Sequence, residues 1–218
     1  MVLFQQKIVG LGRTFLCVVL CVVLVGCVSM RAPTLTKQQQ QFAVQPRAVV
    51  VGQLIQLTHW HASGAFSVQT PTQALMGDFT FISDGAAWRV DISGGLGVAH
   101  MAIGSDAHGL WYADTHGHVQ HVLSVAPFMQ AQLGFVLPVQ VMLDWMKGLP
   151  APGAAKTQVN RFGQLTQLSQ LGWLIHYRDY GRYLDMPLPG RLQLAGAHQI
   201  ITIVVKKWLP MHKVVKTH

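Results

Sequence analysis

The segment IITIVV, residues 200–205, is the most strand-like stretch of this sequence. All of its side chains are branched at Cβ, and such residues favour strands because they pack well on a pleated surface. We therefore predict a strand over residues 199–208. Towards the N-terminus, similar patterns predict further strands near residues 157–162, 164–169, 171–178 and 190–195.

Strand-like periodicity also fills the region that follows residue 57. Apolar residues recur at a period of two in short segments separated by Gly, Pro, Asp or Ser, as in an antiparallel meander. The predicted segments are 57–69, 74–82, 85–93, 97–103, 109–114 and 118–123. The stretch SGGLGV, residues 93–98, falls between the third and fourth of these strands and places Leu96 at the tip of a hairpin.

Apolar residues at helical spacing separate the two groups of strands. They predict two short amphipathic helices, the second ending near Gly148 and Pro150. The apolar positions are Phe128, Met129, Leu133, Val139, Met142, Leu143 and Met146. A further helix is predicted from Pro46 to about Gln56. Strands, then helices, then strands, without βαβ alternation, indicate a mainly β fold of the α+β class, with a curved antiparallel sheet and helices against one face.

The N-terminal segment has the pattern of a bacterial lipoprotein signal peptide. Lys7 and Arg13 precede an uncharged run of about fifteen residues, too short for a membrane-spanning helix of roughly twenty. The run ends in Leu24-Val-Gly-Cys27, which resembles a lipobox, the motif whose cysteine receives diacylglycerol. We predict that residues 1–26 are removed, that residues 27–45 form a lipidated, flexible tether, and that residues 46–218 form the folded domain.

The composition suits a protein that associates with lipid. Half of the residues are hydrophobic and only 11% are charged, which is low for a soluble domain. The formal net charge of +8 comes from scattered Lys and Arg residues, without a basic run or a nucleic-acid-binding motif. The sequence therefore argues against nucleic-acid binding, whereas a diffusely basic surface suits anionic lipid headgroups.

Few residues offer catalytic or metal-binding chemistry. The sequence has no G-x-S-x-G, phosphate-loop or H-E-x-x-H motif, and all eight acidic residues are Asp, so we predict that the protein is not an enzyme. Asp144 is expected on the polar side of the second short helix. His116, His118 and His121 form H-x-H-x-x-H with His108 nearby, but no cysteine or obvious carboxylate completes a metal site. We interpret this segment as a solvated hairpin and expect no metal.

Several short segments between about residue 57 and residue 208 form a distinctive combination. The most specific segments are LDWMKGLP at residues 143–150 and the GGLG loop at residues 94–97. The other segments are Gly64-Ala-Phe66, Trp88-Arg89, WLIHYR at 173–178, Met186-Pro187, RLQL at 191–194 and Lys206-Lys-Trp208. On these segments the chain resembles the LolB family of outer-membrane lipoproteins. Departures are the histidine-rich hairpin, the absence of Glu, and Gly95 where some relatives have proline.

The resemblance implies a half-open β-barrel, with a lid of short α-helices over an apolar cavity. It also implies an outer-membrane-anchored receptor that accepts acylated lipoproteins from a LolA-like periplasmic carrier and inserts them in the inner leaflet of the outer membrane. The family's protruding loop leucine corresponds to Leu96. From pattern alone, the residues interpreted as lining the acyl-chain cavity are Trp60, Phe66, Phe79, Phe81, Met142, Met146 and Trp173. We expect a monomer that faces the periplasm, with no cofactor besides the covalent diacylglycerol and N-acyl chain on Cys27.

Two alternatives stay open at this point. A structural outer-membrane lipoprotein would use its β-domain to bind a protein partner and no lipid, and its interior would be filled by its own side chains. A soluble LolA-like carrier would carry no lipid on Cys27, which the lipobox argues against. An apolar cavity therefore separates the receptor from the structural protein, and the state of residue 27 separates it from the soluble carrier.

Overall fold

The computed structural model describes residues 42–94, 100–183 and 185–210 of this chain. Cys27 and Leu96 both lie outside the described residues, so their predicted roles stay predictions. The helices are α1 (Arg47–Gln56), α2 (Ala126–Leu133) and α3 (Val139–Trp145). The strands are β1 (His59–Gln69), β2 (Ala74–Asp84), β3 (Ala87–Ser93), β4 (His100–Asp106), β5 (Gly109–Ala113), β6 (Val119–Val122), β7 (Lys156–Val159), β8 (Leu165–Gln170), β9 (Trp173–Arg178), β10 (Gly181–Tyr183), β11 (Met186–Leu188), β12 (Arg191–Ala195) and β13 (Ile200–Pro210).

Most of the strands form one antiparallel sheet. Its eleven strands follow the order β6-β5-β4-β3-β2-β1-β13-β12-β9-β8-β7. β13, which contains IITIVV, pairs with β1 on one side and with β12 on the other, so it joins the N-terminal meander to the C-terminal strands. In the described part of the chain, the outermost strands β6 and β7 do not pair with each other, and the curved sheet is not closed into a barrel. The predicted mainly β fold with a curved antiparallel sheet and a few short helices is confirmed.

Alternation along the strands places one side of the sheet in the core. On β13, Ile201, Ile203 and Val205 are buried, as a period of two requires. The alternation then breaks, because Ser63 of β1 pairs with Lys207 and the next residue pairs with Val205, which leaves Lys206 as a bulge. Trp208 consequently faces the core together with Val205, although the two are three positions apart.

Gly64 lies on β1 beside this bulge, where the two strands approach closely. A Cβ atom at this position would collide with the carbonyl oxygen of Val204. Only glycine therefore fits the pairing of β1 with β13 at the bulge.

The structure adds one feature that the sequence patterns did not predict. β10 and β11 form a separate two-stranded sheet between β9 and β12. Each of these strands has only three residues, too few to show a period of two, and Pro187 in β11 argues locally against a strand. The observed α1 also begins one residue later than predicted, because Pro46 is its N-cap.

Candidate functional site

An apolar cavity lies between the sheet and the two short helices α2 and α3. The cavity has a volume of ≈ 80 Å³ and opens to solvent, so it is narrower than typical small-molecule binding sites of about 300–1,000 Å³. All the lining side chains in the described part of the chain are hydrocarbon or thioether groups: Phe66, Val68, Phe79, Phe81, Val90, Ile92, Ile103, Met129, Leu133, Phe135, Leu137, Val139, Met142, Met146, Ile201 and Ile203. Such a surface suits a hydrocarbon ligand and offers no polar side chain to a charged one.

The sheet side of the cavity follows from strand periodicity. β1, β2, β3 and β13 each contribute two residues at spacing i, i+2, for example Phe79 and Phe81 of β2, while β4 adds Ile103. The helix side follows from helical spacing, because Met129 and Leu133 of α2 are four residues apart, as are Met142 and Met146. The cavity therefore lies between residues that follow the strand period of two and residues that follow the helical spacing of four.

Five of the seven residues predicted for the cavity line it: Phe66, Phe79, Phe81, Met142 and Met146. Trp60 and Trp173 are described but lie elsewhere in the core. Trp60 is fully buried at the other end of β1, where its ring packs 5.1 Å from that of Phe81 and 5.3 Å from that of Trp208. The placement of Trp60 in the cavity wall is thus corrected, because neighbouring aromatic rings fill the space around it.

Trp173 requires the same correction for a different reason. It lies on β9, which is separated from β13 in the sheet by β12, and it packs against Gly196. The alternating pattern of β9 predicts that Trp173 faces inward, but its distance from the cavity depends on the order of the strands in the sheet.

The prediction, which selected aromatic and Met residues, missed eleven of the sixteen residues that line the cavity, most of them aliphatic. The missed residues are Val68, Val90, Ile92, Ile103, Met129, Leu133, Phe135, Leu137, Val139, Ile201 and Ile203. Most of them occupy inward positions of the predicted strands and helices, so side-chain periodicity alone would have predicted that they face the cavity. Ring size was a poor criterion, because large side chains also fill the densest parts of the core.

Two contacts hold α2 over the cavity. The side-chain amide of Gln73, in the turn between β1 and β2, donates a hydrogen bond to the carbonyl oxygen of Leu133 (3.2 Å). The ring of Phe128 stacks on that of Tyr112 from β5, with 3.9 Å between centroids. α2 ends at Gly134, whose φ of 75° is accessible to glycine at little cost. α2 is thus attached to the β1–β2 turn at its C-terminal end, through Leu133, and to β5 near its N-terminal end, through Phe128.

A buried polar network fixes the chain after α3. The indole N–H of Trp145 donates to Oε1 of Gln170 (2.9 Å), which also accepts the backbone N–H of Ala151 (3.0 Å). Nε2 of Gln170 donates in turn to the carbonyl oxygen of Ala151 (2.7 Å). Gln170 is only 3% exposed, so these bonds are shielded from water. They attach Trp145 of the LDWMKGLP segment, and Ala151 just after that segment, to β8.

Two cations complete the attachment of this segment. Lys147 is 7% exposed, and its Nζ donates to the carbonyl oxygen of Leu57 (3.3 Å) and lies 3.6 Å from a carboxylate oxygen of Asp144. Burial lowers the pKa of Lys147, and the Asp144 carboxylate opposes this shift. Arg47 of α1 donates to the carbonyl oxygen of Gly148 (2.8 Å). These contacts hold the C-terminal end of α3 and the turn after it, and they thereby position Met142 of α3 and Met146, its C-cap.

The sequence profile of a family described as outer membrane lipoprotein LolB matches residues 58–208. An outer-membrane lipoprotein LolB from Coxiella burnetii is 30% identical over 188 residues, covering 84% of this chain and 86% of the relative. A second, from Francisella tularensis, is 28% identical over 158 residues, covering 71% of this chain and 76% of the relative.

Solved structures show the same fold. A LolA superfamily protein from Nitrosomonas europaea superimposes with a TM-score of 0.52 at 12% identity, covering 78% of this chain and 95% of the other. A DUF1329 family protein from Desulfovibrio piger gives a TM-score of 0.52 at 9% identity, covering 79% and 93%. Among the described residues, the helices are all too short or too polar to cross a membrane.

Proposed function

The chain belongs to the LolB family of outer-membrane lipoproteins, and on that basis we propose that it accepts acylated lipoproteins from a LolA-like periplasmic carrier and inserts them in the inner leaflet of the outer membrane. Its place in lipoprotein localisation at the outer membrane follows from the family. The receptor mechanism is our proposal, and the observation that carries it is the apolar cavity between the sheet and the helices α2 and α3.

The cavity supports binding of acyl chains in preference to a purely structural role. A structural domain gains stability by filling its interior, because an unfilled apolar space loses packing contacts. Here about sixteen apolar residues surround open space, and two methionines on α3 and its continuation offer flexible thioether side chains that adapt to variable ligands. Burial of each CH₂ group of an acyl chain contributes about 0.8 kcal/mol, so a shielded chain has a strong preference for this site over water.

The proposed transfer needs a shielded route. Two acyl chains of about fifteen methylenes each imply on the order of 24 kcal/mol to leave a membrane for water, so a lipoprotein cannot cross the periplasm with its chains exposed. Passage from the carrier's cavity to this one and then to the bilayer avoids that exposure. A modest gradient of affinity then suffices, and the protein acts by binding and release, with no catalytic step.

Two residues outside the described part of the chain complete the proposal. Cys27 carries the diacylglycerol and N-acyl chain that hold the protein on the outer membrane, since two or more chains give stable anchoring. Leu96, which lies between β3 and β4 in the sequence, helps to deliver the acyl chains of the cargo to the bilayer. Both roles are supported by the family resemblance of the lipobox and the GGLG loop.

The experiment is a transfer assay with the full-length protein reconstituted in vesicles of outer-membrane lipid. A LolA-like carrier loaded with an acylated lipoprotein is added, and cargo that floats with the vesicles is measured. We expect transfer of the acylated cargo and none of a non-acylated form. Acylated cargo that stays on the carrier in the presence of the wild-type protein would contradict the receptor function.

The role of Leu96 is tested in the same assay with Leu96→Asp. We expect this variant to take cargo from the carrier but to insert less of it in the vesicles. The matched control is Leu123→Asp, at a fully exposed leucine between β6 and α2, which should insert cargo like the wild type. Normal insertion by Leu96→Asp would contradict only the role of Leu96.

A further inference from the structure

The end of β4 and the edge strand β6 bring two histidines and an aspartate together on the protein surface. We propose that Asp106, His108 and His121 form a binding site for a divalent transition-metal ion of the Zn²⁺ type. This proposal differs from the sequence-based expectation of a solvated hairpin without a metal. The missing carboxylate comes from Asp106, which lies fifteen residues from His121 in sequence but beside it in the fold.

The distances between the ligand atoms suit a metal ion. An oxygen of Asp106 lies 3.3 Å from Nε2 of His121, and the other lies 3.7 Å from Nδ1 of His108. One ligand atom from each of the three residues lies within 4.8 Å of both others. Metal–ligand bonds of 2.0–2.1 Å in a tetrahedral zinc site place the ligand atoms about 3.3 Å apart, so small side-chain rotations would close the site.

Strand register explains why the three residues meet. Asp106 and Gly109 are paired at the turn between β4 and β5, and Trp111 of β5 is paired with His121 of β6. A Cβ at Gly109 would meet no atom within 4 Å, which leaves open space between the ends of the strands. No side chain at Gly109 therefore stands between Asp106 of β4 and His121 of β6 in this register.

The donor set selects a class of metal. The backbone N–H of His108 donates to one carboxylate oxygen of Asp106 (2.8 Å), and this bond orients the carboxylate at the turn after β4. Two imidazoles and one carboxylate suit Zn²⁺, Cu²⁺ or Ni²⁺, whereas Ca²⁺ takes six to eight oxygen ligands. The side chains of His108 and Asp106 are 81% and 41% exposed, which leaves room for water to complete the coordination.

A second cluster, Asp114 with His116 and His118, provides an internal comparison. Its three residues lie in one turn, and Asp114 accepts the backbone N–H groups of both histidines. One ligand atom from each of these three residues also lies within 4.8 Å of both others, but the two imidazole rings are stacked with an interplanar angle of 23°. The rings of His108 and His121 are inclined at 66°, which allows their nitrogens to point to a common position.

A bound ion would join β6 to the turn between β4 and β5. β6 is an edge strand of four residues, and the chain continues from it through Ser124 to the lid helix α2. The metal would therefore stiffen the edge of the sheet next to the lid. The proposal does not depend on the proposed lipoprotein transfer, because it rests on different residues.

The test uses the full-length chain in detergent, without a polyhistidine tag, after removal of metals with a chelator. Titration with ZnCl₂ is followed by isothermal calorimetry. His121→Ala and the more exposed His108→Ala are each expected to lower the affinity at least tenfold, whereas the control His116→Ala/His118→Ala changes it less than threefold. Thermal unfolding without metal establishes that the variants are folded.

Two results would overturn the proposal. The first is that the wild type does not bind Zn²⁺, or that the folded His108→Ala and His121→Ala variants bind Zn²⁺ with the same affinity as the wild type. The other is a loss of affinity in His116→Ala/His118→Ala as large as that in His121→Ala, which would place the ion at the second cluster.

Discussion

Replacement of Gln170 by alanine should detach the support of α3 from the sheet. The substitution removes the acceptor of the Trp145 indole N–H and both partners of the Ala151 backbone. Three polar groups then remain buried without a hydrogen bond, and each costs about 1–3 kcal/mol. Water that enters the space left by the side chain offsets part of this loss. We therefore expect the free energy of unfolding to fall by about 3–5 kcal/mol, a large share of a typical 5–15 kcal/mol.

The assay is urea unfolding of the full-length protein, followed by far-UV circular dichroism and tryptophan fluorescence. Gln170→Leu, which keeps most of the volume but makes no hydrogen bond, should lose a similar amount if hydrogen bonding matters more than packing. Gln193→Ala on the exposed side of β12 is the matched control and should change stability by less than about 0.5 kcal/mol. A loss below about 1 kcal/mol for Gln170→Ala would refute the view that this network holds the segment in place.

Three further predictions concern the cavity, the lid and acid stability. Met142→Gln should weaken binding of a fluorescent fatty acid about tenfold, because an unpaired amide buried in the cavity costs about 1–3 kcal/mol. The control Met76→Gln, at a methionine that is 69% exposed, should bind the fatty acid like the wild type. Gln73→Ala should increase the rate of amide hydrogen exchange in α2 about two- to tenfold, because it removes one hydrogen bond that contributes about 0.5–1.5 kcal/mol. An unchanged exchange rate would show that this bond does not restrain α2. Backbone N–H donors lower the pKa values of Asp106 and Asp114, so these carboxylates stabilise the fold above about pH 4 and lose that effect as the pH falls through their folded pKa values. The thermal midpoint of Asp106→Asn/Asp114→Asn should therefore lie below that of the wild type at pH 6 and approach it in acid, and equal midpoints at pH 6 would contradict this account.

Local patterns were sufficient to predict most of the fold. Strands β1 to β9, β12 and β13 and all three helices lie within a few residues of their predicted positions, because side-chain periodicity depends only on neighbours in sequence. The same patterns identified Phe66, Phe79 and Phe81 as inward-facing. Where an element was too short to repeat a pattern, as in β10 and β11, the prediction failed.

These local patterns did not predict contacts between segments that are far apart in the sequence. The bulge at Lys206 reverses which side of the sheet Trp208 occupies, and only the pairing of β13 with β1 reveals it. The grouping of Asp106 with His108 and His121 depends on the register of three strands. Neither could be read from the sequence, because register is set by side-chain packing and hydrogen bonding between segments that are not adjacent in the chain.

The sequence by itself determined the fold class, the inward and outward sides of most strands, and the resemblance to a lipoprotein family. Those features follow from local periodicity and from short motifs such as LDWMKGLP. Only the tertiary structure decided which buried side chains line open space and which fill the core: Phe79 and Met142 face the cavity, whereas Trp60 and Trp173 do not. The physical reason is that both groups are equally apolar and equally inward-facing, and the difference between them depends on strand order and on where α2 and α3 lie across the sheet.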